Sequence, residues 1–461
     1  MLNAATHGLP GRSKPVPLRN GEDANHHLPV LRLPQYRGRQ WIRANLPSGY
    51  EAWSVETEWT HAGRFNEPEI SCPWQWPSEQ VFFFGDPHAD PEAFMASLVA
   101  SGGIEKTGKC DEAFRLTDAG RSALFILAGD CFDKGPENLR LLRILRLLMD
   151  QGACMHVLAG NHDVRTLLGM RSVNPLLRVT SNEHFFIRMG AKVIPVLLEI
   201  HKQYIAGCNA LRNVPGTDEC RRRLYPSNTW YEIFPELARK IMPAQSVERE
   251  LVRLKRKLDS FEDDCNAAGL TLRHVYAATL KWQSLFLRPE GEFYWFFRTL
   301  QLAYQNGSFL FIHAGLDDRV AEAIDTYGIR YINRQFRKQL QGDAISLYYG
   351  PIGNCFRTKY REVDMPFTRK GAESAQHAGI HVVVHGHRNV LHGQHITRRH
   401  GLIDFECDTT MDHNSRKKEG LNGPGAGVTI IKPDGVVMGI STDYPRIKLY
   451  SQDGKMPGIS M

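Results

Sequence analysis

Short apolar runs that end in polar clusters punctuate the chain from residue 81 onward. Five stand out: "VFFF" (81–84), "ALFILA" (123–128), "CMHVLA" (154–159), "FLFI" (309–312) and "HVVV" (381–384). Each has the length of a strand, and most are rich in Val, Ile or Phe, as strands buried on both faces tend to be. Between the second and third lies "PENLRLLRILRLLMDQG", whose Leu139, Leu141, Leu142, Leu145 and Leu148 predict an amphipathic helix. Strand, helix, strand points to an α/β sheet. Further on, "GVTIIKPDGVVMGIS" sets a Pro-Asp-Gly turn between two apolar runs and predicts a β-hairpin.

Residues 166–303 break this rhythm. "SVERELVRLKRKLDSF" places Val247, Leu251, Leu254 and Leu258 at helical spacing, and "EFYWFFRTLQLAY" reads as another helix. The segment is expected to be a largely helical insertion that caps the sheet edge. Residues 1 to about 40 are rich in Pro, Gly, Asn and His without any period, and read as a flexible or loosely docked tail. From Gln40 to Gln80 five tryptophans crowd together (Trp41, Trp53, Trp59, Trp74 and Trp76), enough to pack that stretch onto a domain. The expected organisation is an N-terminal extension (1–78), a core in two pieces (79–165 and 304–445), the helical cap (166–303) and a C-terminal tail (446–461).

Bulk properties narrow the picture a little. At 461 residues the chain exceeds the size at which single cores stop growing, so one enlarged domain or two domains are expected. No stretch approaches the roughly 18 apolar residues that read as a membrane span. The first twenty residues are broken by Pro, Gly and charge, unlike a secretory signal, so a cytoplasmic protein is expected. Nine cysteines with no CxxC pair read as reduced thiols, mostly buried. The net charge of +7 is modest, and the basic runs at 221–223 and 416–418 read as solvated surface. Nucleic acid is not expected as a partner, whereas an anionic substrate suits the charge.

The residues just beyond each strand carry the chemistry. The first run leads to "GDPHAD" with Asp86 and His88, the second to "GDCFDKGP" with Asp130, Asp133 and Lys134. The third leads to "GNHD" with Asn161 and His162, the fourth to "HAGL" with His313, and the fifth to "HGHRN" with His385, His387 and Arg388. In an open α/β sheet the ligand crevice lies beyond the carboxyl ends of the strands, so all five clusters are expected at one edge. Any one of them can be a turn or a helix cap. Five together, each holding oxygen or imidazole groups, read as a metal site. Such ligands without thiolates suit manganese, iron or zinc, and a shared carboxylate can hold two ions about 3.5–4 Å apart.

The ordered set "GDPHAD … GDCFDKGP … GNHD … HAGL … HGHRN" resembles the signature of the calcineurin-like metallophosphoesterases. Its third and fourth motifs are similar to the phosphoprotein phosphatase branch, in particular the bacterial-type and Shewanella-like members. That resemblance implies a metallophosphoesterase fold, a sandwich of β-sheets flanked by helices with a large helical insertion. It further implies two divalent ions. Asp86, His88 and His387 would hold the first, Asp130 would bridge, and Asn161 and His313 would complete the second. A hydroxide bridging the ions would attack phosphorus, and His162, oriented by Asp133, would protonate the leaving oxygen. His385 would be a supporting partner of the ligands or a ligand itself.

The same family usually has Arg where this chain has Lys134, which keeps the charge but loses the bidentate fork. Arg357 in "GPIGNCFRTKYRE" and Arg388 are candidates to take over the grip on phosphate. Ala89 and Ala314 replace common glycines, and Asp163 stands where many protein phosphatases have Glu. Cys131 inside "GDCFD" reads as a buried small residue, since no base accompanies it. The expected function is a two-metal phosphatase acting on phosphomonoesters, with phosphoserine and phosphothreonine of proteins as one substrate class. A hydrolase of nucleotides or dinucleoside polyphosphates is the alternative enzyme, and a metal-stabilised scaffold the alternative of another kind.

Overall fold

Alternation within the apolar runs sends neighbouring side chains into two different cores. The computed structural model describes residues 47, 49–53, 55–57, 74–207, 211–423 and 425–451. In chain order its strands are β1 (Tyr50–Ala52), β2 (Val55–Thr57), β3 (Val81–Phe84), β4 (Ile104–Lys106), β5 (Phe114–Leu116), β6 (Leu124–Leu127) and β7 (Cys154–Val157). Then come β8 (Ala303–Asn306), β9 (Phe309–Ile312), β10 (Val382–Asn389), β11 (His395–Arg399), β12 (Leu402–Asp408), β13 (Gly427–Lys432), β14 (Val436–Ser441) and β15 (Ile447–Ser451). One sheet has the order β1-β15-β14-β13-β3-β6-β7 and a second the order β2-β11-β12-β10-β9-β8. β4 and β5 pair separately.

The expectation of a single open sheet carrying all five ligand strands therefore gives way to two facing sheets. β3, β6 and β7 run parallel in the first, and β9 and β10 run parallel in the second. Val81, Phe83, Leu124 and Ile126 meet Phe309, Phe311, Val382 and Val384 in the core between the sheets. Phe82, Phe84, Phe125 and Leu127 point the other way and join the helices in an outer core. A side-chain period of two explains why these strands are apolar at every position. The layered arrangement matches the sandwich that the motif resemblance implies.

The leucine-rich segment forms a helix from Asn138 to Asp150 with Leu139, Leu141, Leu142, Leu145 and Leu148 buried. The Pro-Asp-Gly hairpin is β13 and β14. Residues 166–303 are helical, with the longest helices at Ala244–Ala267 and Leu272–Leu287. "EFYWFFRTLQLAY" divides: a helix covers Tyr294–Thr299, and β8 begins at Ala303. Phe132, in the second ligand loop, packs on Phe286, Phe296 and Phe297 of this segment, with ring centroids 5.5–5.8 Å apart. The cap thus touches the loop whose geometry the chemistry depends on.

Both ends of the chain contribute strands. Trp53 lies in the inter-sheet core against Phe405, while Trp74 and Trp76 pack on Phe309. Trp41, Trp59 and the tail expected over residues 1 to about 40 lie outside the described residues. The C-terminal tail expected from residue 446 is corrected in part, because β15 pairs with β14 and β1. Its Ile447 is buried, which helps to hold the segment between β14 and β1. Seven cysteines are described, none in a disulfide, and five of them are buried.

The inter-sheet core should bear most of the sandwich's stability. Phe83 is fully buried and stacks at 6.0 Å on Phe311. Phe83→Ala should lower unfolding free energy by about 3–5 kcal/mol, as aromatic truncation in a core does. Chemical denaturation monitored by circular dichroism checks this; a loss under about 1 kcal/mol would show that the two sheets do not depend on each other.

Candidate metal centre

Where the parallel strands end, the chain turns sharply and the backbone itself comes close. A Cβ on Gly160 would lie 2.1 Å from the Asp130 amide nitrogen, and one on Gly386 would lie 2.3 Å from Asp86 Oδ1. Only glycine admits such approaches. Nine non-glycine residues have positive φ among the described residues, and six are on the ligand loops: His88, Ala89, Asp130, Asp133, Lys134 and His387. Strain of that kind is costly for a side chain and collects at functional sites.

The loops are cross-tied by backbone and carboxylate bonds. His88 N donates to Asp130 O, Gly386 N donates to His313 O, and His387 N donates to Asp86 Oδ2, all at 3.0 Å. Asp163 clamps the second loop to the third. Its Oδ1 accepts from Cys131 N (2.8 Å) and Phe132 N (3.1 Å), and its Oδ2 from Gly160 N (3.2 Å). The residue directly after His162 is therefore a positioning residue rather than a ligand.

Asp130 is the hub. Its Oδ1 accepts from His162 N at 2.8 Å and lies 3.6 Å from His313 Nε2. Its Oδ2 lies 3.9 Å from His88 Nε2 and 3.8 Å from His162 Nε2. Two groups able to hold an ion emerge, His88–Asp130–His162 and Asp130–His313–His387, and both contain Asp130. Asp86 adjoins each, 3.9 Å from His88 Nε2 and 3.8 Å from His313 Nδ1. Asn161 Oδ1 is 3.3 Å from His313 Nε2.

Outer-shell carbonyls set the imidazole tautomers. His313 Nδ1 sits 2.8 Å from Ala128 O, His88 Nδ1 3.5 Å from Phe132 O, and His387 Nε2 3.2 Å from Arg357 O. A carbonyl only accepts, so each of these nitrogens carries the proton and the other keeps a lone pair. Three rings thus offer a basic nitrogen, as metal-binding histidines do. His162 differs: its Nδ1 is 2.6 Å from Asp133 Oδ2, a carboxylate that can hold a charged imidazole.

Burial and like charge act on the free centre together. Burial, then the charges of Asp408 and Asp130, push Asp86 well above the usual carboxylate range. Burial raises Asp408 to about 6 and holds His88, His162 and His387 well below their ordinary value. Asp86 Oδ1 and Asp408 Oδ2 are buried without a hydrogen-bond partner. Orphaned carboxylate oxygens beside neutral imidazoles are what a cation would satisfy, and the oxygen and nitrogen donors fit a divalent transition ion.

The remaining expected residues lie around this hub. Lys134 Nζ donates to Ser415 Oγ at 2.9 Å and lies 4.0 Å from Asp412. Arg357 lies over the rings of Tyr348 and Tyr349, 4.5 and 5.5 Å from their centroids. Arg388, expected as a phosphate contact, is half-buried between Asp404 (3.2 Å) and Glu406 (3.1 Å). Those carboxylates satisfy its charge away from the hub. His385 belongs to that same ion network, 3.6 Å from Asp404, and not to the Asp130 groups. Cys131 is buried with its thiol pushed up by burial, the opposite of an activated nucleophile.

Two contributors escaped the motif reading. Arg165 Nη2 is 2.6 Å from Asp133 Oδ2, which it shares with His162. Asp408 closes β12, and Gly85 packs directly against its Cα. The signal for Asp408 was present: "LIDFECD" is one more apolar strand ending in an acid. Arg165 had none, since one helical turn beyond "GNH" its side chain could face anywhere.

The two-sheet sandwich thus gathers a shared carboxylate and several imidazoles at its strand ends. Residues 80–236 match the model of the calcineurin-like phosphoesterase family, and the match supports metal-dependent phosphoester hydrolysis as the activity of this stretch. The match takes in Asp86, His88, Asp130, Asn161 and His162 and stops before His313 and His387. No curated protein matches the chain. Among solved structures, a cold-active protein tyrosine phosphatase is similar at 13% identity, with TM-score 0.42 over 83% of this chain and 82% of that one. The cold-active protein-tyrosine phosphatase of a psychrophilic Shewanella species aligns at 14% identity, TM-score 0.38, over 87% and 90% of the two chains. A protein serine/threonine phosphatase from Saccharomyces cerevisiae aligns at 11%, TM-score 0.30, over 81% and 80%. Likeness at this level does not bear on substrate. Among the described residues no helix is long and apolar enough to cross a membrane.

The raised carboxyls make metal binding depend on pH. A carboxyl whose folded pKa exceeds its unfolded value stabilises the metal-free fold at low pH, and that contribution is lost as pH rises through the folded pKa. For Asp408 the window runs from about 4 to about 6, and Asp86 extends it upward. Manganese must displace these protons, so its stabilising effect should grow from about pH 5 to about pH 8. At a hundredfold excess over Kd the effect is about 2.7 kcal/mol. Thermal melts with and without manganese across that range check the sign, and Asp408→Asn should flatten the rise. A manganese shift independent of pH would contradict the role given to these acids.

Proposed function

We propose that the protein is a two-metal phosphatase of phosphomonoesters, with phosphoserine and phosphothreonine of proteins as its first candidate substrates. One observation carries the reading: Asp130 is shared by two adjacent ion-binding groups, and His162 stands beside them with its ring held by Asp133. In this reading, as the motif resemblance assigns it, Asp86, His88 and His387 hold one ion, Asn161 and His313 the other, and Asp130 both; the side chains themselves group His387 with Asp130 and His313. Bound there, the ions would neutralise phosphate charge and lower the pKa of water toward neutrality.

The chain's own residues supply the rest. Asp133 holds His162 Nδ1, so the proton for the leaving oxygen sits on Nε2, the nitrogen turned toward Asp130. Arg165 braces the same Asp133 oxygen and fixes the pair's orientation. A scaffold without catalysis would need neither this pair nor its brace. We further infer that residues 79–165 and 304–451 form the catalytic unit, with 166–303 as its cap and 1–78 as an extension that lends strands to it.

Two variants test the assignment. Asp130→Asn should lower manganese occupancy and reduce hydrolysis by orders of magnitude while the fold survives. His162→Ala should keep both ions and lose about 10²–10⁴-fold in rate on an alkyl phosphate. On p-nitrophenyl phosphate, whose leaving group needs little protonation, the loss should be smaller. Equal losses on the two esters would remove the acid role. A manganese-loaded screen with phosphopeptides and diadenosine tetraphosphate decides between monoesters and dinucleoside polyphosphates.

A further inference from the structure

Imidazole and carboxyl groups turn on soft final torsions, so a histidine–aspartate pair is not aimed by its rotamers alone. For His162 the aim matters. Its Nδ1 is 2.6 Å from Asp133 Oδ2, and its Nε2 is 3.8 Å from Oδ2 of Asp130, the carboxylate shared by both ion-binding groups. A modest turn of the ring, or of the Asp133 carboxyl, would carry Nε2 off that line.

Both carboxyl oxygens of Asp133 are held. Oδ1 accepts from Lys134 N at 2.7 Å, and Asp133 N donates to Asn138 Oδ1 at 3.1 Å. Oδ2 accepts from Arg165 Nη2 at 2.6 Å, and the same nitrogen is 2.9 Å from His162 Nδ1. Arg165 stands three residues after His162 on the helix Asn161–Ser172, hence on the same face. Cap residues fix that helix further along. Gln283 Nε2 donates to Met170 O at 2.7 Å, and a Cβ on Gly169 would lie 2.5 Å from Met189 Cε. The guanidinium therefore reaches Asp133 from a helix locked in place.

Arg165 is not paired as a guanidinium kept for packing alone would be. Arg416 shows that alternative in the same molecule: it meets Asp443 through Nη1 at 2.6 Å and Nη2 at 2.8 Å, and its Nε donates to Gly423 O. Arg165 meets its carboxylate through one nitrogen, against the edge of the ring. Among the described residues its buried Nε has no hydrogen-bond partner. The arrangement forgoes the stronger bidentate pairing for a place beside the imidazole.

We propose that Arg165 is a positioning residue for protonation of the leaving oxygen, and that it suits the centre to alkyl phosphomonoesters such as phosphoserine and phosphothreonine. The inference rests on the phosphatase reading with His162 as its acid, and it names the leaving group. An alkoxide must take up a proton as it departs, whereas an aryl oxide needs less help. A lost aim at Nε2 therefore weighs on alkyl esters first, and a misplacement of about 1 Å can cost a hundredfold.

The test uses the full-length, metal-loaded protein with Arg165→Met, Arg165→Lys and His162→Ala, and each arginine variant combined with His162→Ala. Arg165→Met should lower kcat on a phosphoserine peptide by about tenfold to a hundredfold and clearly less on p-nitrophenyl phosphate, with KM and metal content little changed. Arg165→Lys, which keeps a charged donor, should recover part of the loss. In the His162→Ala background Arg165→Met should cost little more, because the arginine acts through the imidazole. In zinc-loaded protein the low-field Nδ1 proton resonance of His162 should broaden or exchange faster in Arg165→Met, a readout independent of turnover. Melting temperatures verify folding; if Arg165→Met does not fold, Arg165→Lys with and without His162 is read in its place. Equal losses on the two esters, the same factor lost with and without His162, or a wild type that hydrolyses p-nitrophenyl phosphate but no alkyl phosphate overturns the proposal. Equal losses in Arg165→Met beside a retained ester difference in His162→Ala refute the arginine alone, whereas equal losses in both refute the acid reading as well.

Discussion

Crowding of buried acids is the constraint on which the rest depends. Asp86, Asp130, Asp133, Asp163 and Asp408 are each at most 5% exposed, and they gather at the strand ends of an apolar sandwich. Carboxylates in such a place either take up protons or find cations, because desolvation and mutual repulsion both oppose charge. Only Asp163 is fully satisfied by backbone amides. Lys134 offsets part of the remainder, lowering Asp86 and Asp408, but one ammonium is too little for all of them. The need for more positive charge is thus written into the packing before any catalysis is considered.

Holding acids so close requires a backbone that would not adopt this path by itself. Six ligand-loop residues have positive φ, and a strained residue of this kind costs about 1–3 kcal/mol. Several such costs persist only where the surroundings determine the conformation. Here the two cores do so from either side, since β3 and β6 are buried on both faces. Phe132, lying between Cys131 and Asp133, stacks into the aromatic cluster of Phe286, Phe296 and Phe297. The cap is therefore part of what keeps the second ligand loop in place.

How much of this the sequence disclosed depends on the physics of each signal. Strand ends were legible because a buried strand must be apolar at every position, and "VFFF" or "FLFI" has few other uses. The division into two sheets was not, because β3 and β9 look alike in isolation and only packing decides which faces which. Asp86, His88, Asp130, His162, His313 and His387 were legible as an ordered set attached to strand ends. The direction of Arg388 was not legible from its place beside His387, because the positive φ of His387 breaks the strand's alternation and Arg388 joins His385 at Asp404. The strand at Ile447–Ser451 was hidden by its mixed composition, since only Ile447 and Lys448 of its five residues are buried.

The loops at the strand ends are locked by cross-ties such as His88 N to Asp130 O and Gly386 N to His313 O, where a displaced atom disturbs several others. The lysine at position 134 belongs to the same locked region: tied to Ser415 beside Asp412, it is placed to balance buried acids. A rigid scaffold that presents polar groups on its connections in this way keeps their geometry while the connections further out are free to vary.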